Sequence, residues 1–293
     1  MPSSSAGPSD HSGRFSLIVA TIGRTSELAR LLKSIDQQTY RNFEVIIVDQ
    51  NPDDRLADVL RPVEGKFPLR RITSPQGVSR ARNLGLAHTT GDWIAFPDDD
   101  CWYGAEHLAQ LAELFDKHPE WDGIVGHMLD ERGLPIAPWK PKCARMTRFT
   151  AWLRSGSPAI FLRRTVVDRV GKFDELLGPG AGTPWIGGED CDYVLRALEL
   201  QFHIAVEPDV IVFHPPVYDP DGPGAKQKRY RYGRADGWRL RHRDPMPLWW
   251  TILFFLVPLA RAAAALVTLR WNQAPAHWMG FKGRISGYFA KSS

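Results

Sequence analysis

The 293 residues are 43% hydrophobic and 24% charged, an ordinary globular balance with room for one large domain or one domain plus an appendage. The formal net charge of +4 is mild and suits an anionic ligand or an anionic membrane surface alike. Cys101, Cys143 and Cys191 are too few and too scattered for a disulfide framework or a zinc knuckle, which favours a reducing, cytosolic setting.

In chain order, the opening "MPSSSAGPSDHSG" has neither a basic n-region nor an apolar h-region, so residues 1–13 read as a disordered tail and not as a signal peptide. "FSLIVA" is an apolar run of strand length. "TSELARLLKSIDQQ" then places Leu28, Leu31, Leu32 and Ile35 on one helical face. "FEVIIVD" is a second buried strand ending in Asp49, and "PLRRITS" is a third. "GVSRARNLGLAHTT" has helical spacing, "DWIAF" is a fourth strand, and "GAEHLAQLAELFDKH" is a helix closed by Pro119. This strand-then-helix order predicts an α/β fold, a mostly parallel open sheet flanked by helices, with ligands beyond the carboxyl ends of the strands.

The following stretch is less regular. "GIVGH" and "SPAIFLRR" read as strands, and "PWIGGEDCDYVLRALELQ" as a glycine-rich turn opening a helix with Glu189 and Asp190 in its first turn. Acids there also suit the helix dipole, so a capping role stands beside a chemical one. "FHIAVEPDVIVFHP" offers short β runs that end at His214. The predicted division is a domain over residues 14–222, in two halves that meet near residue 120, followed by a basic and apolar helical region over 223–293.

Two features carry chemistry. "FPDDDCWY" ends a buried strand in three carboxylates, Asp98, Asp99 and Asp100, whose mutual repulsion needs a compensating charge. Hard divalent cations take such oxygen ligands together with substrate phosphates, and a D-x-D spacing lets one acid hold the metal while another bonds a ribose hydroxyl. Asp49 ends a neighbouring strand, and Arg80 and Arg82 lie on the helix before the fourth strand. There is neither a G-x-x-x-x-G-K-[ST] loop nor a G-x-G-x-x-G fingerprint, so a phosphate here falls to a metal and arginines.

The stretches "SLIVATIGRTSELARLLKSIDQQTYRNFEVIIVDQN", "GVSRARNLGLAHTTGDWIAFPDDDCWY", "FDELLGPG" and "GGEDCDYVLRAL" together resemble the inverting family 2 glycosyltransferases of the GT-A nucleotide-sugar fold, over about residues 15–214. The resemblance implies that Thr21 and Asp49 line the base pocket, that Arg82 meets base or phosphate, and that Asp98 bonds the ribose. It further implies that Asp100 binds Mn²⁺ or Mg²⁺, that Asp99 faces the donor sugar or supports its loop, and that His214 adds a metal ligand. Asp190 becomes the general base and Glu189 its acceptor-site partner. The expected donor is a nucleotide-diphospho-sugar, a UDP-sugar first, and the acceptor a glycan or glycolipid. Gln50 departs from relatives that carry a second acid there, which bears only on the choice of base. A sugar nucleotidyltransferase and a catalytically idle membrane scaffold are the competing readings.

Lys226, Lys228, Arg229, Arg231, Arg234, Arg239, Arg241 and Arg243 crowd a segment with one acid, Asp236, and "LWWTILFFLVPLARAAAALVTL" follows. Those 22 residues from Leu248 to Leu269 are long enough to span a bilayer, but Pro258, Arg261 and basic flanks on both sides fit an interfacial or re-entrant helix better. Tyr230, Tyr232 and Trp238 interleave with the arginines, yet the adjoining apolar run makes lipid phosphate, not nucleic acid, the expected anion. The expected location is the cytoplasmic side of the inner membrane.

Overall fold

The computed structural model describes residues 13–136, 142–216, 222, 224–271 and 273–291. The rest of the expected N-terminal tail lies outside the described residues, as does most of the expected boundary at 217–223.

Strands β1 (Phe15–Thr21), β2 (Phe43–Asp49), β3 (Leu69–Thr73) and β4 (Trp93–Ala95) pair in parallel in the order β3-β2-β1-β4. Helices α1 (Ser26–Asp36), the short α2 (Ala57–Leu60) and α3 (Val78–Leu86) make the crossovers. β1, β2 and β4 are almost continuously apolar because both faces are covered, whereas the edge strand β3 carries Arg70 and Arg71 and stays partly exposed. Phe15, Leu17 and Val19 pack with Leu28, Leu31 and Leu32 of α1 on one face. Ile18, Ile46 and Val48 pack with Ala81 of α3 on the other. Apart from the small Ala81, each of these fully buried apolar side chains is worth about 1.5–3 kcal/mol of transfer free energy.

Beyond β4 the sheet turns mixed. It continues through β8 (Ile160–Arg163), β6 (Gly123–Leu129), β9 (Ile204–Phe213) and β5 (Trp102–Tyr103), with β7 (Ala144–Arg145) on β9. α4 (His107–Lys117) leads into this half, and α5 (Arg148–Arg154), α6 (Arg164–Val170) and α7 (Glu189–Glu199) complete it. β8 runs antiparallel to β4 and β6, whereas β6 and β9 are parallel. Both strand positions match the sequence reading, and the antiparallel insertion has a functional consequence. A strand entering antiparallel to β4 begins at the carboxyl edge of β4, so the Ser157–Ala159 turn before it sits where the ligand cleft is.

The C-terminal layer comprises α8 (Ala225–His242), α9 (Leu248–Val267) and α10 (Ala274–Tyr288). α8 and α10 meet backbone to backbone. A Cβ on Gly237 would lie 2.0 Å from the Arg284 carbonyl oxygen, and one on Gly287 would lie 1.9 Å from that of Arg234. α9 packs through a stripe of Trp250, Phe254, Pro258 and Ala265 and exposes Leu248, Leu253, Leu256 and Val267.

Candidate active site

β4 ends at Ala95, and the acidic loop follows at once. Two residues after Asp100, β5 pairs antiparallel with the end of β9, Trp102 opposite Phe213. That register sets His214 beside Asp100, although 114 positions separate them in "His214" and "Asp100" numbering. His214 Nε2 lies 3.2 Å from Asp100 Oδ1 and 3.8 Å from Asp98 Oδ2.

The tautomer of His214 follows from its other nitrogen. Nδ1 is 2.5 Å from the carbonyl oxygen of Pro215, which can only accept, so Nδ1 carries a proton. Nε2 then faces two carboxylates with either a second proton or a bare lone pair. Burial alone lowers the imidazole pKa, but the hydrogen bond and charge of Asp100, followed by the charge of Asp98, outweigh it and raise the pKa. Reciprocally, burial opposes the ionisation of Asp100, while the hydrogen bond and charge of His214 pull its pKa below the ordinary value. Asp98 is pushed up to about 6, by burial first and against the opposing charges of Arg82 and His214.

The remaining member of the triplet has a different neighbour. Arg24 hydrogen-bonds Asp99 Oδ1 and lies 2.8 Å from Asp100 Oδ2. Burial raises the Asp99 pKa even against that guanidinium. Arg30 of α1 donates to the backbone oxygen of Asp100 at 2.9 Å and stacks 3.8 Å from the Trp102 ring centroid, fixing the loop from behind.

A second pair of acids opens α7. Gly188, at φ +90°, turns the chain so that Glu189 and Asp190 enter the same cleft. Asp190 Oδ2 accepts from Ser157 N at 3.1 Å and from Ser157 Oγ at 3.4 Å, and its Oδ1 accepts from the Cys191 amide at 2.8 Å. Glu189 is buried, and burial, followed by the charge of Asp190, pushes it up to about 7. Arg82, 3% exposed, joins the two acidic groups: Nη2 is 3.0 Å from Asp98 Oδ1 and Nη1 is 3.3 Å from Glu189 Oε1.

The acids of both runs, with Arg24, Arg82, Ser157 and His214, line one cleft of about 610 Å³ at the carboxyl edge of the sheet. Its lining holds five carboxylates, from Asp98 to Asp100 with Glu189 and Asp190, against the three fixed cations Arg24, Arg82 and Lys228. Two negative charges are left over when the carboxylates are ionised and His214 is neutral. Asp98, Asp100 and His214 can each aim one donor atom within 4.8 Å of the others. Two hard oxygens and an imidazole nitrogen, whose other N–H is anchored on a carbonyl, fit Mn²⁺ or Mg²⁺.

Thr21 and Asp49 are opposite each other at the ends of β1 and β2. Asp49 Oδ2 is held by Arg71 at 2.7 Å and Oδ1 by the Asn51 amides, while the adjacent Ala20, Ile22 and Gln50 line the cleft. Arg24, Ser157, Lys228 and Tyr232 also belong to the cleft and were not singled out from sequence as site residues. Arg24 alone left a usable signal, a basic residue three positions past the end of the first strand.

An open α/β sheet with its cleft at the carboxyl edge is the GT-A arrangement, and structural comparison agrees on the fold. The mannosyltransferase PcManGT from Pyrobaculum calidifontis, in complex with GDP-Man and Mn²⁺, superposes with a TM-score of 0.61 at 17% identity, covering 98% of this chain and 91% of that one. S. aureus TarS 1–349, in complex with UDP-GlcNAc, gives 0.58 at 18%, covering 93% and 91%. At these identities the likeness is one of fold.

The family model described as Glycosyl transferase family 2 matches residues 16–168, and the chain belongs to that family. A glycosyltransferase of Haemophilus influenzae, itself uncharacterised, is 29% identical over 194 residues, 63% of this chain and 62% of its own length. A PGL/p-HBAD biosynthesis glycosyltransferase of Mycobacterium tuberculosis is 32% identical over 119 residues, 39% of this chain and 46% of its own. The chain thus spans about half to three-fifths of the length of these curated relatives.

Proposed function

We propose that the protein is a metal-dependent, inverting glycosyltransferase that moves a sugar from a nucleotide-diphospho-sugar, a UDP-sugar first, to a hydroxyl of a lipid-linked or growing surface glycan. Residues 14–222 form its catalytic unit and 223–293 a membrane-facing layer. The observation that carries this reading is the meeting of Asp98, Asp100 and His214 in the same cleft as Asp190.

Asp100 and His214 would hold Mn²⁺ or Mg²⁺, with Asp98 shared between that ion and the ribose. The ion, when bound, supplies Lewis-acid stabilisation of the diphosphate leaving group. Arg24 lines the cleft as a further cation for the charge that develops there. Asp190, steadied by Ser157 and its own helix amide, takes the proton of the acceptor hydroxyl as that oxygen attacks the anomeric carbon from the face opposite the leaving group. A single displacement of this kind inverts the configuration and uses no covalent enzyme nucleophile. Glu189, with its raised pKa, holds or releases a proton beside the acceptor without competing for the role of base. Thr21, Asp49 and Gln50 form the base end, and Asp99 keeps Arg24 in place.

Membrane association rests on α9. It is 20 residues long, about 30 Å at the helical rise, with a mean hydropathy of 1.9 in its most apolar window, 11% of which is buried. Pro258 and Arg261 inside it, and its lengthwise packing by one stripe, support a helix lying in the interface at the cytoplasmic face of the membrane. The test of the main reading is a donor screen. The protein with Mn²⁺ is presented with uridine, guanosine and thymidine sugars, and binding or hydrolysis is measured. A metal-stimulated signal with one base class is expected. Silence across all three sinks the proposal.

A further inference from the structure

α8 packs behind the turn that carries Glu189 and Asp190. Tyr232 lies against Gly187, where a Cβ would come within 2.9 Å of Tyr232 Cε1. Trp238 stacks on Trp185 of the same loop, with ring centroids 4.7 Å apart. Arg239, 1% exposed, lies flat on Gly188, where a Cβ would collide with its Nη1, Cδ and Cζ atoms. No side chain fits between this guanidinium and the turn, and the φ of +90° at Gly188 favours glycine for a second reason.

Arg239 reaches both ends of the acid pair. Besides Gly188, which immediately precedes Glu189, it hydrogen-bonds the sulfur of Cys191, which immediately follows Asp190. Burial pushes that thiol up to about 12 against the charge of Arg239, so Cys191 is a neutral partner. Its Sγ donates to the Ala151 carbonyl at 3.5 Å, and its amide donates to Asp190 Oδ1. The guanidinium carbon also sits 4.5 Å from the Trp152 ring centroid. Trp152 belongs to α5, whose chain continues into Ser157, the other donor to Asp190. One planar group therefore touches both elements that converge on Asp190.

The charge of Arg239 is met on the side away from the turn. Nη2 lies 2.6 Å from Asp244 Oδ2, and Asp236, one turn back on α8, also acts on Arg239, although Arg284 acts on Asp236 more strongly. A buried ion pair adds little net stability over apolar side chains of the same volume. Arg239 Nε is moreover buried and, among the described residues, has no hydrogen-bond partner. Stability alone does not account for an arginine here, whereas a rigid planar group seated against the turn does.

We propose that Arg239 is a positioning residue for the base: it holds the Gly188–Cys191 turn in the orientation in which Asp190 takes the acceptor proton. This rests on the glycosyltransferase reading above and extends its working parts to α8.

The experiment follows Mn²⁺-dependent hydrolysis of the sugar nucleotide that turns over, with water in the acceptor's place. The water oxygen bonds the anomeric carbon, the bond to the diphosphate breaks and Asp190 takes the proton. Arg239→Met/Asp244→Leu removes both members of the ion pair, so neither is left buried alone. Its kcat should fall about thirty- to a hundred-fold, with donor KM and Mn²⁺ affinity within about two-fold of the parent. Arg239→Lys keeps a charge for Asp244 without the planar fork, and should restore the urea midpoint while leaving kcat at least about five-fold down. Amide exchange gives a readout apart from turnover. The Ser157 and Cys191 amides, both held by Asp190, should exchange faster in the double variant, and those of β1 and β2 should not. An unchanged kcat in the double variant or full rescue by lysine overturns the assignment. So does an equal loss in Arg243→Ala, which cuts the neighbouring α8 contacts to Asp174 and Asp192. A parent that hydrolyses no sugar nucleotide removes the underlying reading instead, and the amide exchange then decides alone whether Arg239 holds the turn.

Discussion

The cleft holds two runs of adjacent acids, Asp98–Asp100 and Glu189–Asp190, and they keep different company. The triplet faces an imidazole and a guanidinium, His214 and Arg24, with Asp100 drawn below its ordinary pKa. In the pair, Asp190 faces amides and a hydroxyl, while Glu189 faces Arg82 and is raised to about 7 by burial and by the charge of Asp190. Carboxylates surrounded by cationic groups are prepared for a cation. A carboxylate held by neutral donors, beside one that retains a proton, is prepared for proton transfer. On the proposed reading, two chemically similar stretches of sequence take separate tasks from their neighbours.

The sharpest test removes one acid from each run. Asp100→Ala and Asp190→Asn should each lower transfer by at least about a thousand-fold, but only Asp100→Ala should lose Mn²⁺ binding by calorimetry. Equal loss of metal binding in both would erase the distinction, and full turnover by Asp190→Asn would remove it as the base. Next in size is the link between the runs. Arg82→Met leaves the buried Glu189 and the part-exposed Asp98 without their shared counter-charge, and a loss of about 1–3 kcal/mol in denaturant unfolding is expected. A midpoint within experimental error of the parent would show that the two runs do not depend on it.

A pH series separates the runs more gently. Glu189 has a folded pKa near 7 against an ordinary 4.5, so the folded state holds the extra proton between those values. Its contribution to stability is complete below about pH 4.5 and is lost as the pH rises through 7, on the order of 1–3 kcal/mol. The difference between the parent and Glu189→Gln, measured by urea unfolding from pH 4.5 to 8, should follow that curve; a flat difference argues that burial does not raise this group. Smallest is Ser157→Ala. It removes a 3.4 Å hydroxyl contact but keeps the amide, so transfer should fall only about three- to ten-fold with donor binding unchanged. A loss as deep as that of Asp190→Asn would make Ser157 a partner in the chemistry.

Much of the sheet from β1 to β4 was legible from the apolar runs, since strands covered on both faces carry their own signature. Phe15, Leu17 and Val19 alternate with Ile18 between two cores, and Asp49 and Asp98 stand at strand ends as expected. What sequence could not supply is long-range pairing. Nothing local says that β8 runs antiparallel to β4, and hence that Ser157 reaches Asp190. The resemblance put His214 with the metal ligands, but only the Trp102–Phe213 register explains how it gets there. The basic run of α8 drew attention to lipid and hid Tyr232, because a helix with charges all round gives no periodicity from which to read a buried face.

The fit of α8 over Gly187 and Gly188 bears on how the enzyme should be handled. Trimming the chain after the last strand, the usual remedy for an oily C-terminus in expression work, would do more than improve solubility. It would uncover the glycine turn that opens α7, against which Tyr232 and Arg239 pack, and strip one wall from the cleft.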